Sequence, residues 1–281
     1  MTKLLALSAV CLLSIGVQGC TVPFGAGHRI DLSDAVLAFS DEFEGDTLDT
    51  GKWNIISRIL YSNNALNAYN PSMVSVSGGY LRLDIAEVPY LGRKYSAGEI
   101  DTRDKFSQQY GYFEARIKVP SGAGLHSSWW LWPASDHWPP EIDIMEVKGN
   151  DRTTVYMTLH WAENGIVRAF PEQLDFTGDH FVERRVSGKD FSQDFHVFGL
   201  EWSPQSIAWY IDGIEWHRTD QHIPHEPFLL ELDLALDAYG GALDASTILP
   251  ASLLVDYVRV YSLPGDRMLR LLRPGTMPSS E

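Results

Sequence analysis

The chain has 281 residues, of which 44% are hydrophobic and 12% aromatic, and its 37 Asp and Glu outnumber 22 Lys and Arg to give a formal net charge of −15. This composition predicts a single globular domain, since β-sandwiches of this size commonly form one core. The negative charge disfavours nucleic acid or an anionic membrane surface as a partner and suits a neutral ligand, although an acidic surface can also serve solubility alone.

The start of the chain carries an export pattern. Lys3 precedes an apolar stretch over residues 4–13, and small residues follow it. This pattern is typical of a secretory signal peptide, which we predict over residues 1–19, and the stretch is too short to span a membrane. We therefore expect an exported protein, either secreted or held in the cell envelope.

The two cysteines are Cys11, inside the apolar stretch, and Cys20. The folded part of the chain is therefore expected to contain no disulfide. Residues 17–20, Val-Gln-Gly-Cys, resemble a bacterial lipobox, which implies that Cys20 carries a lipid and anchors the protein to the outer membrane. The alternative is ordinary cleavage near Gly19. A lipid on Cys20 is the only membrane contact that we expect.

The sequence divides into a tether, a domain and a tail. Residues 20–36 contain Pro23, Gly25 and Gly27 with little periodicity, which predicts a tether between the export signal and the domain. The domain is predicted over residues 37–262, and a C-terminal tail over residues 263–281 is expected to fray. We expect the protein to be a monomer.

Within the domain, apolar residues recur mostly with a period of two. They alternate with polar residues over 81–85 and 113–119, as in half-buried strands. Asp212-Gly213 lies between the runs 207–211 and 214–217 and has the residue types of a type I′ hairpin turn. The last clear strand covers 253–261. Short strands separated by turn signals predict an all-β sandwich of two antiparallel sheets with little helix.

Three acids lie among large apolar residues in the segment Glu141-Ile-Asp-Ile-Met-Glu-Val. In a regular strand Glu141 and Asp143 share a face, whereas Glu146 points to the opposite face and into the core, where an unpaired carboxylate is very costly. A β-bulge at Ile144-Met145 resolves this conflict, because one extra residue resets the alternation. We therefore predict a bulge that places all three acids on one surface.

Clustered acids raise one another's proton affinity, so one carboxyl can stay protonated near neutral pH while another is ionised. Retaining glycoside hydrolysis needs this division between an attacking carboxylate and a carboxylic acid that protonates the leaving oxygen. The two groups must approach to about 5–5.5 Å, whereas Glu141 and Glu146 start roughly 13–16 Å apart along a strand. Strand curvature, the bulge and inward-leaning side chains must close the gap. A calcium site or a polar edge strand is the alternative for these acids.

The same acids resemble the ExDxxE signature of glycoside hydrolase family 16, and the chain looks most like the laminarinase, or endo-β-1,3-glucanase, branch of that family. Further similar segments lie at residues 39–45, 110–120, 195–202 and 255–261. The resemblance covers about residues 37–262.

This resemblance implies a β-jelly roll whose concave sheet forms a cleft for a polysaccharide. It implies that Glu141 is the nucleophile, that Glu146 is the acid/base, and that Asp143 hydrogen-bonds the nucleophile. The expected substrate is a β-1,3- or mixed β-1,3/1,4-glucan, and a long open cleft favours internal cleavage. The chemistry requires no cofactor.

Aromatic residues near the acids are candidates for sugar binding. Trp130 and Trp132 share a face if their segment is extended, and Trp138 is the best candidate for a platform that stacks on a sugar ring. By resemblance, His160 and Trp161 occupy the position where the family has a cleft-facing histidine.

Two segments depart from the family pattern. Asn64, Asn67 and Tyr69 resemble a segment at the cleft edge, but laminarinases commonly carry Glu-Leu-Gln where residues 65–67 are Ala-Leu-Asn. Asp233 stands where the family usually has asparagine, and an extra acid in or near the cleft would disfavour anionic polysaccharides. The alternative is a change at the surface with no effect on the substrate.

Some family members bind calcium on the convex face. The matching ligands in this chain are Glu44, the carbonyl of Gly79 and Asp256, which is too few oxygens without water, since calcium takes six or more. We therefore expect at most a structural calcium.

Alternative functions remain open. A transglycosylase shares the glycosyl-enzyme intermediate but transfers it to another sugar, and a hydrolase of a galactan-type polysaccharide such as agarose or carrageenan would use the same acids. A non-catalytic carbohydrate-binding jelly roll is disfavoured, because all three acids are present.

Overall fold

A computed structural model describes residues 27–59, 64–162, 168–169 and 179–265, where most of the regular structure is β-strand. The predicted signal peptide, Cys20 and most of the predicted tail lie outside these residues. Across the described ranges, no helix has both the length and the apolar character that crossing a membrane requires.

The strands, in chain order, are β1 (Val36–Asp41), β2 (Asn54–Ile55), β3 (Arg58–Ile59), β4 (Asn67–Tyr69), β5 (Val74–Ser77), β6 (Tyr80–Ala86), β7 (Tyr95–Ala97), β8 (Glu99–Asp101), β9 (Gly111–Lys118), β10 (Leu125–Pro133), β11 (His137–Trp138), β12 (Glu141–Lys148), β13 (Thr154–Ala162), β14 (Arg168–Ala169), β15 (Asp179–Ser187), β16 (His196–Trp202), β17 (Ile207–Ile211), β18 (Ile214–Thr219), β19 (Phe228–Leu236) and β20 (Ala251–Ser262). A 3-10 helix, Pro71–Met73, precedes β5.

Two large sheets hold nearly all of these strands. One has eleven strands, in the order β18-β17-β16-β9-β20-β6-β7-β4-β3 with β1 beside β20 and β5 beside β6. The other has seven, in the order β15-β13-β12-β10-β19-β8-β2, and β11 pairs with β14 separately. The β4–β7 pair is parallel, while the pairs around β12 and β19 are antiparallel. The predicted all-β sandwich is confirmed.

The hydrophobic core lies between the two sheets. On β9, Phe113, Ala115 and Ile117 are fully buried, as the predicted alternation requires. On β12, Ile142 and Val147 belong to the same core cluster. Removing these apolar faces from water is the main force that holds the two sheets together. We call the opposite face of the seven-stranded sheet, which points away from this core, the active face.

The predicted hairpin turn joins β17 to β18. Asp212 and Gly213 both have positive φ, 51° and 74°, as the two central residues of a type I′ turn must. The structure therefore confirms this turn.

The described part of the predicted tether is packed against the domain. The backbone N–H of Ile30 donates to the Gly213 carbonyl at 2.9 Å, and that of Glu215 donates to the His28 carbonyl at 2.8 Å. Ile30 and Leu32 also pack on a small apolar cluster outside the main core. These apolar side chains gain burial by docking, so residues 28–32 belong to the folded unit rather than to a free linker.

Candidate active site

The three acids of β12 lie on the active face because the strand contains a bulge. Asp143 pairs with Thr158 and Glu146 with Tyr156, so three steps along β12 match two steps along β13. The pairing with β10 shifts at the same place. The predicted bulge is therefore confirmed, with Ile142, Ile144, Met145 and Val147 buried in the core and Glu141, Asp143 and Glu146 on the other face.

A tryptophan of the opposite sheet binds the bulge from the core side. The indole N–H of Trp209, on β17, donates to the backbone carbonyl of Asp143 at 2.9 Å. A bulge disrupts the regular ladder, and a buried carbonyl without a partner is costly. Trp209 thus stabilises the backbone distortion that aligns the acids. Nothing in the local sequence predicts this contact, since the two residues are 66 positions apart.

Glu141 lies beside two groups that can hydrogen-bond it. The indole N–H of Trp138 donates to Glu141 Oε2 at 2.7 Å, and the Asp143 carboxyl is also within hydrogen-bonding reach. His160 Nε2 lies 3.2 Å from Asp143 Oδ2. Burial, followed by the charge of Asp143, raises the pKa of Glu141 well above its usual range, while His160 and Trp138 oppose that rise. Glu141 therefore lies between a carboxyl that favours its protonated form and two groups, His160 and Trp138, that favour its ionised form.

Glu146 has a different set of partners. His126 Nε2, on β10, lies 2.8 Å from Glu146 Oε1, and His126 Nδ1 lies 3.0 Å from Asp237 Oδ2. Burial and the charge of Asp143 raise the pKa of Glu146, and His126 opposes the rise. Asp143 thus acts electrostatically on both glutamates. Each glutamate also has a separate hydrogen-bonding partner, which lets the two groups take different protonation states.

A metal ion is a second interpretation of part of this cluster. Glu141, Asp143 and His160 each bring one ligand atom within 4.8 Å of the others. Calcium, the cation considered from the sequence, prefers oxygen ligands alone, and one of these three atoms is a nitrogen. The cluster therefore does not have the donor set of a calcium site.

The tryptophans predicted to bind sugar differ in exposure. Trp130 and Trp132 share a face, as predicted, while Trp129 points into the core. Trp130 is half-buried, but Trp132 and Trp138 are only 4% and 3% exposed and pack together beside Leu229. The prediction that Trp138 offers an exposed stacking platform does not agree with this burial. Packing encloses its ring, and the indole N–H contacts Glu141 instead.

His160 and Trp161 lie on opposite faces of β13. His160 pairs with Glu141 across the strands and shares the active face. Trp161 packs against the core and stacks on His222, with ring centroids 4.0 Å apart. Strand alternation separates adjacent residues in this way, so the structure does not bring Trp161 to the acids.

The two asparagines predicted at the cleft edge are also separated. Asn64 is exposed, with a φ of 53°. Asn67 is fully buried and its Oδ1 accepts a hydrogen bond from the Leu236 backbone N–H at 2.8 Å. Asn67 therefore joins β4 to the end of β19 rather than facing a ligand.

Asp233 lies on the active face on β19, which is two strands away from the β12 acids, with β10 between them. It accepts hydrogen bonds from the Tyr69 hydroxyl at 2.7 Å and from the Trp130 indole at 3.2 Å. Burial and the charge of Glu99 raise its pKa to about 7. The extra acid expected from the sequence is thus part of the active face, and Trp130 connects it to β10.

A buried ion network extends the active face farther. Arg58 pairs with Glu99 and Glu231, the latter at 3.1 Å, and both glutamates are buried. No local sequence pattern indicates this network, because Arg58 lies on β3 of the eleven-stranded sheet, whereas the two glutamates lie on the paired strands β8 and β19 of the other sheet. It adds carboxylates to the active face, each with a cationic partner.

The residues considered for calcium lie away from this face. Asp256 Oδ2 accepts a hydrogen bond from Arg116 Nη1 at 2.6 Å, whereas Glu44 is exposed and Gly79 is half-buried. A guanidinium on Asp256 competes with a cation for that carboxylate, so these residues fit a calcium ion poorly.

Comparisons with known proteins agree with the geometry. The family model described as "Glycosyl hydrolases family 16" matches residues 62–235. A beta-glucanase of Rhodothermus marinus is 33% identical over 277 residues, which cover 89% of this chain and 92% of that protein. Glucan endo-1,3-beta-glucosidase A1 of Niallia circulans is 32% identical over 264 residues, and the match covers 80% of this chain but only 37% of that relative.

The fold of solved structures is also similar. The endo-beta-1,3-glucanase of Pyrococcus furiosus superimposes with a TM-score of 0.70 at 28% identity, covering 84% of this chain and 97% of that one. The match confirms the expected jelly-roll sandwich.

Proposed function

Because the chain belongs to glycosyl hydrolases family 16, we propose that it is a retaining, endo-acting hydrolase of a β-1,3- or mixed β-1,3/1,4-glucan. The observation that carries this proposal is the bulge in β12, which brings Glu141, Asp143 and Glu146 to one face. Retaining hydrolysis needs two neighbouring carboxyl groups, one to attack and one to exchange a proton, and side chains on one face of a strand can meet this need.

Glu141 is the nucleophile in this mechanism. An oxygen lone pair of its carboxylate forms a bond to the anomeric carbon while the bond from that carbon to the leaving oxygen breaks. The Trp138 indole N–H, 2.7 Å from Glu141 Oε2, fixes the carboxylate and favours its ionised form.

Glu146 is the acid/base. Its proton passes to the leaving oxygen, which takes the electron pair of the broken bond. The resulting carboxylate then accepts a proton from water, whose oxygen attacks the anomeric carbon and releases Glu141. A raised pKa suits the first step, since Glu146 must hold a proton when substrate binds.

The charge of the active face supports a neutral substrate. Besides the three catalytic acids, it carries Asp233, Glu231 and Glu99. The nearby arginine and histidines are paired with these acids. Because this arginine and these histidines are already engaged by acids of the protein, they offer little counter-charge to a sulfated or uronic polysaccharide, which favours a glucan over carrageenan. Neutral agarose is compatible with the same charge.

Hydrolysis of a polysaccharide panel tests the proposal. Laminarin, lichenan, agarose, carrageenan, galactan and xyloglucan are incubated with the protein, and new reducing ends are measured. We expect cleavage of laminarin or lichenan with short-lived intermediate-length products, the mark of internal cleavage. Activity confined to agarose or galactan would overturn the substrate, and Glu141→Gln with undiminished turnover would overturn the mechanism.

Transfer is distinguished from hydrolysis by the acceptor. Both reactions share the glycosyl-enzyme intermediate. Products formed with an added oligosaccharide decide between them, because a transglycosylase lengthens that acceptor whereas a hydrolase releases reducing ends at an unchanged rate.

We further propose that the protein is exported and acts as a monomer, with a lipid on Cys20 as its membrane anchor. The support is the charged and apolar order of residues 3–13 and the segment that ends at Cys20. Chemistry carried by carboxyl groups needs no cofactor, and a structural calcium would be separate from it. Mass spectrometry of the mature N-terminus tests the lipid, since ordinary cleavage leaves an unmodified thiol.

A further inference from the structure

His126 is buried between two carboxylates on the active face. Its Nε2 lies 2.8 Å from Glu146 Oε1 and its Nδ1 lies 3.0 Å from Asp237 Oδ2, and the residue is only 7% exposed. The Tyr239 ring covers it, with centroids 4.9 Å apart. Both ring nitrogens are therefore engaged, and water has little access to them.

The chemistry of imidazole limits how these contacts can be made. A neutral ring has one N–H donor and one acceptor, whereas the charged ring donates from both nitrogens. Once Glu146 has given its proton to the leaving oxygen, the ring lies between two carboxylates, and only imidazolium can donate to both. Burial alone lowers the pKa of His126, but Asp237 and Glu146 together raise it well above its usual value.

We propose that His126, held as an imidazolium by Asp237, is a positioning residue for the acid/base Glu146. It fixes the carboxyl of Glu146 and stabilises the carboxylate that remains after the leaving oxygen has taken the proton. This inference rests on the proposed function of Glu146. Asp237 is fixed in turn, because its Oδ1 accepts the Gly240 backbone N–H at 2.9 Å.

Other charged and titratable groups also face this site. They are Asp143 and Lys148 on β12, Tyr156 and His160 on β13, and Asp233 and Tyr239 on and after β19. Asp143 opposes the effect of His126, because its negative charge raises the pKa of Glu146. Lys148 Nζ lies over the Tyr239 ring, 3.6 Å from its centroid, so this cation contacts the face of an aromatic ring. His126 is the cation in direct hydrogen-bond contact with Glu146 among the described residues.

The proposal predicts the direction in which the pKa of Glu146 changes when His126 loses its charge. An adjacent imidazolium favours ionised Glu146, so removing the positive charge makes Glu146 hold its proton to higher pH. The alkaline limb of kcat/KM, which reports loss of that proton, should therefore move upward. At the same time Glu146 becomes a weaker acid, and kcat on a polysaccharide should fall.

His126→Gln is the main test, because glutamine keeps N–H donors but carries no charge. We expect the alkaline limb to rise by about one pH unit, as for loss of one opposite charge at hydrogen-bond distance. The fall in kcat should be smaller on an aryl oligoglucoside with a good leaving group, which needs little protonation. If His126 were merely structural, the variant would lose activity equally on the polysaccharide and on the aryl oligoglucoside, and the alkaline limb would stay in place. That result would overturn the proposal.

Asp237→Asn provides a second variant, since asparagine can still accept from Gly240 but no longer favours a charged His126. Its alkaline limb should also rise, by less than in His126→Gln. Unfolding temperature establishes that each variant folds.

A third measurement needs no substitution. The His126 ring of the intact protein, followed by NMR, should keep both protons well above pH 6.5, and a ring that is neutral at pH 6 would overturn the proposal.

The proposed function is tested separately by Glu146→Gln. If Glu146→Gln is inactive but His126→Gln leaves the alkaline limb of the kcat/KM profile unmoved, the proposal for His126 is overturned and the assignment of Glu146 stands. Wild-type turnover by Glu146→Gln would instead remove the acid/base assignment itself.

Discussion

The indole nitrogen of Trp209 lies 2.9 Å from the backbone carbonyl oxygen of Asp143, and this hydrogen bond connects the eleven-stranded sheet to the bulge that aligns the acids. The contact passes through the core, so the alignment of the active face depends on the sheet behind it. Catalytic geometry and core packing are coupled at this point.

Trp209→Phe should therefore lower stability and activity together. The substitution leaves the Asp143 carbonyl buried without a donor, which costs about 1–3 kcal/mol, and the bulge should lose its fixed geometry. Trp129→Phe is the matched control, because Trp129 is equally buried and its indole nitrogen has no hydrogen-bond partner among the described residues. Denaturation by urea and kcat on laminarin measure both effects. Equal losses in the two variants would show that only ring volume matters.

Trp138→Phe should move the acidic limb of kcat/KM to higher pH. The indole N–H favours ionised Glu141, so its loss raises the pKa of the nucleophile and delays ionisation. A shift of about one pH unit is expected from a hydrogen bond to a charged group. Trp132→Phe removes a neighbouring indole that donates to Asp136 instead, and its acidic limb should stay in place. An unmoved limb in Trp138→Phe would contradict the contact's proposed role.

Azide should distinguish the two glutamates by the product that it forms. In Glu146→Ala the glycosyl-enzyme still forms on an activated substrate, and azide then displaces Glu141 to give a β-glycosyl azide, with retention. In Glu141→Ala azide replaces the nucleophile and gives the α-product, with inversion. NMR of the isolated azides assigns the anomers. Exchanged outcomes would mean that the roles of Glu141 and Glu146 are reversed.

Asp233 should make stability depend on pH. Its pKa is raised to about 7 in the folded protein, against about 3.9 when unfolded. Between these two pKa values Asp233 is protonated in the folded state but ionised in the unfolded state. Protonation of Asp233 therefore stabilises the fold at low pH, and this contribution is lost as pH rises toward 7. Asp233→Asn should flatten the fall in unfolding free energy between pH 5 and pH 8, while the exposed Asp220→Asn should not. Guanidinium titrations at both pH values measure the unfolding free energy. The same pH dependence in the parent protein, Asp233→Asn and Asp220→Asn would contradict the burial of a titrating carboxyl at position 233.

Arg58→Met should destabilise the protein at neutral pH. It removes the cation shared by Glu99 and Glu231, which are both buried, and breaking such a network costs about 3–5 kcal/mol. Lys52→Met removes an exposed partner of Asp49 and should change stability by about 1 kcal/mol or less. Thermal unfolding measures the difference. A small effect of Arg58→Met would mean that the two glutamates accommodate the loss by taking up protons.

The strand pattern and the bulge could be predicted because each follows from local rules. Strand alternation has a period of two, and Glu146 conflicts with that period unless one extra residue intervenes. The partners of the acids could not be predicted in the same way. His126 and Asp237 are 111 positions apart, and only the pairing of β10 with β19 brings them together. Part of this arrangement is visible in the sequence, because His126 lies an even number of residues before Trp130 and the two therefore share one face of the strand.

Exposure is the other quantity that the sequence does not determine. Trp138, Asn67 and Trp161 are all predicted from the sequence to face a sugar. In the structure Trp138 is packed beside Trp132, Asn67 joins two strands, and Trp161 stacks on His222. Residue type indicates what a side chain can bind, whereas its surroundings depend on strands from distant parts of the chain.

The bulge also determines which changes the β12 segment can accept. Its two middle positions need only be apolar, so many residue pairs could replace Ile144 and Met145. A deletion of one of them would reverse every side chain that follows, turning Glu146 inward and Val147 outward. Positions 144 and 145 should therefore vary among apolar residues over evolution, while the number of residues between Asp143 and Glu146 stays constant.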